Sequence, residues 1–151
     1  MSEPTGDQAR CWAMMEEIGT CLLVTVTARG THARPMNAIL RPAESAIWFL
    51  TDAASHKTGE LETAPDVCLI FTDGSSRHLV VRGHATLVND RDAVRSVWTP
   101  EAKAFWPNGP DDASVNAIHV EPVEAEVWEG DNIAVAAFKA VFAAVRGVRA
   151  E

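Results

Sequence analysis

The chain has 151 residues, 47% of them apolar and 23% charged, with a formal charge of −8 from 13 basic against 21 acidic side chains. That length suits one domain able to bury its own core without disulfide or metal staples, and the composition excludes disordered and fibrous classes. The acidic balance argues against nucleic-acid or anionic-lipid partners, and no apolar run approaches the roughly 20 residues that cross a bilayer.

In chain order, residues 7–18 (DQARCWAMMEEI) place Cys11, Trp12, Met15 and Ile18 at helical spacing, with Gly19 as the stop. CLLVTVT (21–27) is apolar and β-branched and predicts a strand. THARPMNAIL reads as its partner, with Pro35 marking an edge, a bulge or a ligand-facing stretch, because proline cannot donate to a ladder. AIWFLT is a third strand. Ser55 is the N-cap of a short helix ending before Pro65, and VCLIFTD is a fourth strand. RHLVVRGHATLV is a long fifth strand, with Gly83 where a bulge would sit. Asn89 or Asp90 caps a helix through DAVRSVW, and Thr99-Pro100 restarts one. VNAIHVEPVEAEVWE alternates from Val123 to Val127 as a sixth strand, and Phe138, Val141, Phe142 and Val145 predict a closing helix.

Six strands with short links predict an antiparallel barrel, in which closure removes most exposed edges. No strand–helix alternation of the parallel kind is visible, and neither G-x-G-x-x-G nor G-x-x-x-x-G-K occurs. Cys11, Cys21 and Cys68 are odd in number, lie among apolar neighbours and form no C-x-x-C pair. They read as buried reduced thiols, and with the polar opening MSEPTGDQAR they lead us to expect a cytoplasmic protein.

The stretch from Arg34 to Lys57 carries the chemistry. If the strand holding R-P-M-N pairs with the one ending W-F-L-T, Arg34 approaches Ser55, His56 and Lys57 just past the second strand's end. A guanidinium fork, an ammonium and the open N–H groups of a helix start together make an anion site. By composition alone, isolated Arg and Lys side chains form a solvated face, so the residue types do not decide the matter.

The motifs add more. RPMNAIL, IWFLTDAASHKTGEL, APDVCLIFTD, VRGHATLVNDR, the W-T-P…W-P-x-G-x-D-D block and VEPVEAEVWE resemble the flavin-mononucleotide (FMN) split-barrel proteins related to pyridoxamine 5′-phosphate oxidase, in their bacterial general stress protein branch. The resemblance spans about residues 10–130. It implies a split barrel, and together with the helical spacings read above the expectation is a β-rich α+β fold: a six-stranded antiparallel split barrel at about 21–128, with peripheral helices at about 7–18 and 132–147, in a single domain over 1–151. It implies FMN as cofactor, with Arg34 near the phosphate and Pro35, Met36 and Asn37 running along the flavin. Leu50 and Thr51 would line the ribityl and ring region, and Ser55 and Lys57 would hold the phosphate. His56 stands where the oxidase relatives carry arginine, which makes that contact pH-dependent. His78 stands where they have a glutamine reaching the flavin from the other chain, and it stays outside the expected site.

The same resemblance implies a homodimer with the flavin at its interface, no nucleic-acid or membrane partner, and a flavin-dependent redox role on an unnamed substrate. It does not extend to oxidation of a vitamin B6 phosphate, because the arginine-rich carboxyl-terminal segment of those oxidases is replaced by the apolar AVAAFKAVFAAVRGVRAE. The alternatives are a non-catalytic flavin- or ligand-binding protein of the same fold, or a split barrel using deazaflavin or haem. No catalytic acid or base is nominated. The tryptophans read as core or interface residues, with Trp98 and Trp106 as possible cavity walls. His78 and His84 lack a third metal ligand nearby, and the acidic run from Asp111 to Asp131 reads as a solvated surface.

Overall fold

The computed structural model describes residues 6–53, 65–74, 76–130 and 132–138. Helix α1 (Gly6–Ile18) turns Cys11, Trp12, Met14 and Met15 into the core. It ends at Gly19, whose φ of +79° lets its N–H close onto the Met15 carbonyl at 2.7 Å. Strand β1 (Thr20–Thr27) then pairs along its whole length with β2 (Gly30–Asn37) and, over Leu22 to Thr25, with β5 (Asp66–Thr72). Short β3 (Ile39–Arg41) forms a hairpin with β4 (Ala46–Asp52). The long strands β6 (Arg77–Val88) and β7 (Val115–Glu129) bind the two halves together. Between them lie α2 (Arg91–Ser96) and a 3-10 turn at Pro100–Ala104, and β8 (Asn132–Ala137) follows on the free edge of β7.

The eight strands form one antiparallel sheet ordered β2-β1-β5-β6-β7-β4-β3, with β8 on β7. Its two ends, β2 and β3, are consecutive in the chain with only Ala38 between them. The sheet is therefore curled until its edges meet at that residue, which makes it a split barrel. Leu23, Phe49, Leu69, Phe71, Leu79 and Ile118 are fully buried on its inner face, together with the apolar side of α1. A second, smaller core lies outside the barrel, where Val94 and Val97 pack on Val115 and Ala117 and cover Trp48 and Leu50 of β4. That packing half-buries Trp48 and Leu50 on the outer face of β4.

A bulge at Arg82/Gly83 divides β6 and β7. Before it β7 pairs with β4, and after it β7 pairs with β8. Gly83 faces Pro122, so the proline of β7 sits where the ladder is already interrupted. A Cβ on Gly83 would lie 2.6 Å from the Glu121 carbonyl oxygen, so only glycine allows the two backbones to approach this closely.

Four expectations need correction. The closing helix at 132–147 is wrong for residues 132–137, which form β8. The second half of β7 presents an open edge, and Gly130 (φ +62°) turns the chain back to fill it. The expected strand at 31–40 is two strands, broken at Ala38 and sent to opposite ends of the sheet, so with β8 the barrel has eight strands rather than six. The strands bearing R-P-M-N and W-F-L-T do not pair, since β2 lies against β1 and β4 against β3 and β7. The acidic run is not uniformly solvated: Glu124 is 1% exposed, Glu126 pairs with Arg82 and Glu129 with Arg10.

Asp90 caps α2 through a bond from the Ala93 N–H, as its position predicts. Thr99 precedes the 3-10 turn but makes no side-chain cap bond. The expected helix from Ser55 lies outside the described residues. Among the described residues, no helix is long and apolar enough to cross a membrane.

Candidate functional site

Where the two edges of the sheet meet, they leave a cavity of about 730 Å³. One wall is the end of β2 with the start of β1: Thr20, Pro35, Met36 and Asn37. A second is the end of β4, with Leu50, Thr51 and Asp52. The third is Thr99, Glu101, Ala102, Phe105 and Trp106, in and after the 3-10 turn. Small-molecule sites fall at about 300–1,000 Å³ and are lined mainly by apolar groups with a few polar ones, which describes this cavity. Thr20 Oγ1 and Asn37 Oδ1 lie 3.3 Å apart, a side-chain bridge between two wall strands.

The loop that follows the third wall is held by Arg91. Its guanidinium donates to the carbonyls of Pro110 at 3.1 Å, Asp112 at 2.8 Å and Val115 at 2.7 Å, and also to that of Asn89. One side chain thus ties the loop after Trp106 to the start of β7. Arg95 adds a bond to Asp111 at 2.9 Å, and Ser114 donates to Asp112 through both N–H and hydroxyl, which lowers the Asp112 pKa. The W-T-P…W-P-x-G-x-D-D block is accordingly pinned at its carboxyl-terminal end. Trp106 lies between Trp98 and Phe105, with ring centroids at 6.4 and 5.9 Å.

Of the nine residues expected at the site, Pro35, Met36, Asn37, Leu50 and Thr51 meet on this cavity. Arg34 is not among the described residues that line it. It pairs across the ladder with Leu23 and so shares the inner face, opposite to Pro35 and Asn37. Its guanidinium donates to Thr25 Oγ1 at 3.3 and 3.4 Å and lies 3.1 Å from His32 Nδ1. Ser55, His56 and Lys57 lie outside the described residues. Thr20, Glu101 and Phe105 are wall residues that the sequence did not single out; the aromatic pair following a Thr-Pro turn was the available signal.

The remaining candidates have other surroundings. His78 lies 2.7 Å from Thr72 Oγ1, and His84 pairs with Asp66 at 2.6 Å. Burial pushes the Cys21 thiol up to about 12 and, with Asp7 nearby, Cys11 up to about 11, and it raises Cys68 as well. These thiols stay protonated at neutral pH.

A curled antiparallel sheet whose two edge strands meet at a cavity is the split-barrel class of fold. A sequence profile of the "pyridoxamine 5′-phosphate oxidase like" family matches residues 7–151. A protein related to general stress protein 26, from Clostridium acetobutylicum and of the pyridoxinephosphate oxidase family, superimposes with a TM-score of 0.78 at 16% identity, covering 87% of this chain and 94% of that one. General stress protein 26 of Bacillus anthracis gives 0.72 at 18% identity, over 86% and 98%. The general stress FMN/FAD binding protein of Xanthomonas citri gives 0.72 at 23%, over 87% and 94%. No curated protein matches the chain. The chain belongs to the pyridoxamine 5′-phosphate oxidase-like family, with the fold of its general stress proteins.

Proposed function

We propose that the chain binds FMN as a homodimer and serves a flavin-dependent redox step in a stress response. The observation that carries this reading is the meeting of Pro35, Met36, Asn37, Leu50 and Thr51 on one cavity, although they come from strands at different places in the sheet. Its apolar walls suit a flavin ring, and Thr20, Asn37 and Thr51 supply polar groups for the ring edge and ribityl chain. Arg34, Ser55, His56 and Lys57 would hold the phosphate. Bound flavin supplies electron transfer at its own ring, so the chain has only to bind, orient and shield it.

The outer face of the sheet supports the dimer. Cross-strand pairing puts Leu22, Ile70, Val80, Val135, Trp128 and Ile133 on one surface, and of these Leu22, Trp128, Ile133 and Val135 are well exposed. Exposed apolar residues around the Arg82–Glu126 pair on this face mark a protein contact. Pro35 faces the same way as Leu22, so the surface runs directly into the cavity, and a second copy seated on it would close the cavity mouth. His78, opposite Trp128 on this face, would then approach the partner's flavin. Flavin binding and assembly should be linked.

The absorption spectrum of freshly purified protein, and of protein mixed with FMN and then desalted, tests the reading. Flavin bands carried through the column support it. Colourless protein after both treatments contradicts it.

A further inference from the structure

Among the described residues that line the cavity, the ionisable side chains are Asp52 and Glu101, both carboxylates. No described Lys, Arg or His lines it. Glu101 stands on the same wall as Phe105 and Trp106, and the loop that follows this wall is pinned by the Arg91 bonds. The face of an indole or phenyl ring attracts a cation through its quadrupole, most strongly for tryptophan. A carboxylate beside such rings adds Coulomb attraction for the same ligand and repels a carboxylated or phosphorylated one. The cavity's size and its mixture of aromatic and aliphatic walls select a flat molecule.

We infer that the space beside Glu101, Phe105 and Trp106 takes a planar aromatic cation, and that such a compound is what the protein brings to its cofactor. The second clause rests on the flavin reading above, whereas the charge preference of the wall does not. Trp106 provides the stacking surface and Glu101 the counter-charge.

The test uses three compounds of nearly one shape: 1-methylnicotinamide (a cation), nicotinamide (neutral) and nicotinate (an anion). Each is titrated calorimetrically into the full chain, with and without saturating FMN, and into Glu101→Gln and Trp106→Leu variants whose thermal unfolding is recorded alongside. The cation should bind saturably and more tightly than nicotinamide, and nicotinate should not bind. Glu101→Gln should weaken the cation about two- to five-fold and flatten its salt dependence, as for a part-exposed ion pair, without altering nicotinamide binding. Trp106→Leu should weaken both cation and neutral compound. Nicotinate binding as tightly as the cation, no saturable cation binding, or equal cation affinity in Glu101→Gln and the parent would each overturn the inference. If the chain refuses FMN but keeps the charge preference, the flavin reading fails and the wall assignment stands. If FMN binds and the preference is absent, only the present inference falls.

Discussion

The Arg34 guanidinium reaches across the β1–β2 ladder to the hydroxyl of Thr25, a residue with 0% exposure, at 3.3 and 3.4 Å. The Thr25 hydroxyl fixes the orientation of this charged fork at the rim of the barrel. Thr25→Val removes this acceptor while keeping the shape of the side chain. Fluorescence titration should show FMN affinity reduced about two- to ten-fold, with riboflavin affinity unchanged. An equal loss for both ligands would mean that Thr25 serves the ring cavity instead.

Gly83→Ala should destabilise the fold by about 1–3 kcal/mol, because the new methyl meets a backbone carbonyl at 2.6 Å and neither strand of the bulge can yield cheaply. Denaturant unfolding measures this. Gly74→Ala offers a contrast, since nothing lies within 4 Å of its Cβ position and only its φ of +80° is strained. A Gly83→Ala protein as stable as the parent would show that the bulge is soft.

Val135→Lys, on the outer face opposite Glu126, should convert a dimer to a monomer in sedimentation velocity and weaken FMN binding at the same time. Loss of flavin without loss of the dimer would separate the two properties, and a monomeric parent protein would remove this face from the proposed interface.

Stability should fall on the alkaline side. The chain has no tyrosine, and between pH 9 and about 11 the buried thiols Cys11 and Cys21 titrate differently in the two states. Thiols in the unfolded chain lose their protons near the usual 9.0, while Cys11 and Cys21 hold theirs to about 11 and about 12. In that window the unfolded state binds fewer protons, so stability is full below pH 9 and declines as pH rises toward the folded values. Urea midpoints at pH 8 and pH 10.5 should differ less in Cys21→Ala than in the parent. Identical pH dependence in both would show that Cys21 is not a source of the decline.

The strands with strong local patterns were legible in the sequence. CLLVTVT, AIWFLT, VCLIFTD and the two long strands appear where their β-branched and apolar residues put them, and Gly83 marks the bulge. What escaped was decided at long range. Nothing in THARPMNAIL announces the break at Ala38, because the break exists only to let β2 and β3 reach opposite ends of one sheet. The helical spacing that begins at Phe138 hid β8, whose conformation is set by the open edge of β7 rather than by its own residues. The convergence of Pro35–Asn37 with Leu50 and Thr51 followed from the family resemblance. The position of Arg34 on the face opposite Pro35 follows from strand alternation alone.

The most direct measurement is a parallel titration of FMN and riboflavin into the full chain and its Arg34→Ala and Lys57→Ala variants. The two ligands share the ring and differ in the phosphate, so the comparison isolates the anion site from the cavity. The account predicts that FMN binds the parent more tightly than riboflavin, that each substitution weakens FMN about 10- to 100-fold, as expected for loss of a charge-assisted bond of about 1.5–3 kcal/mol, and that riboflavin is unaffected. Equal affinity of the parent for FMN and riboflavin would contradict it.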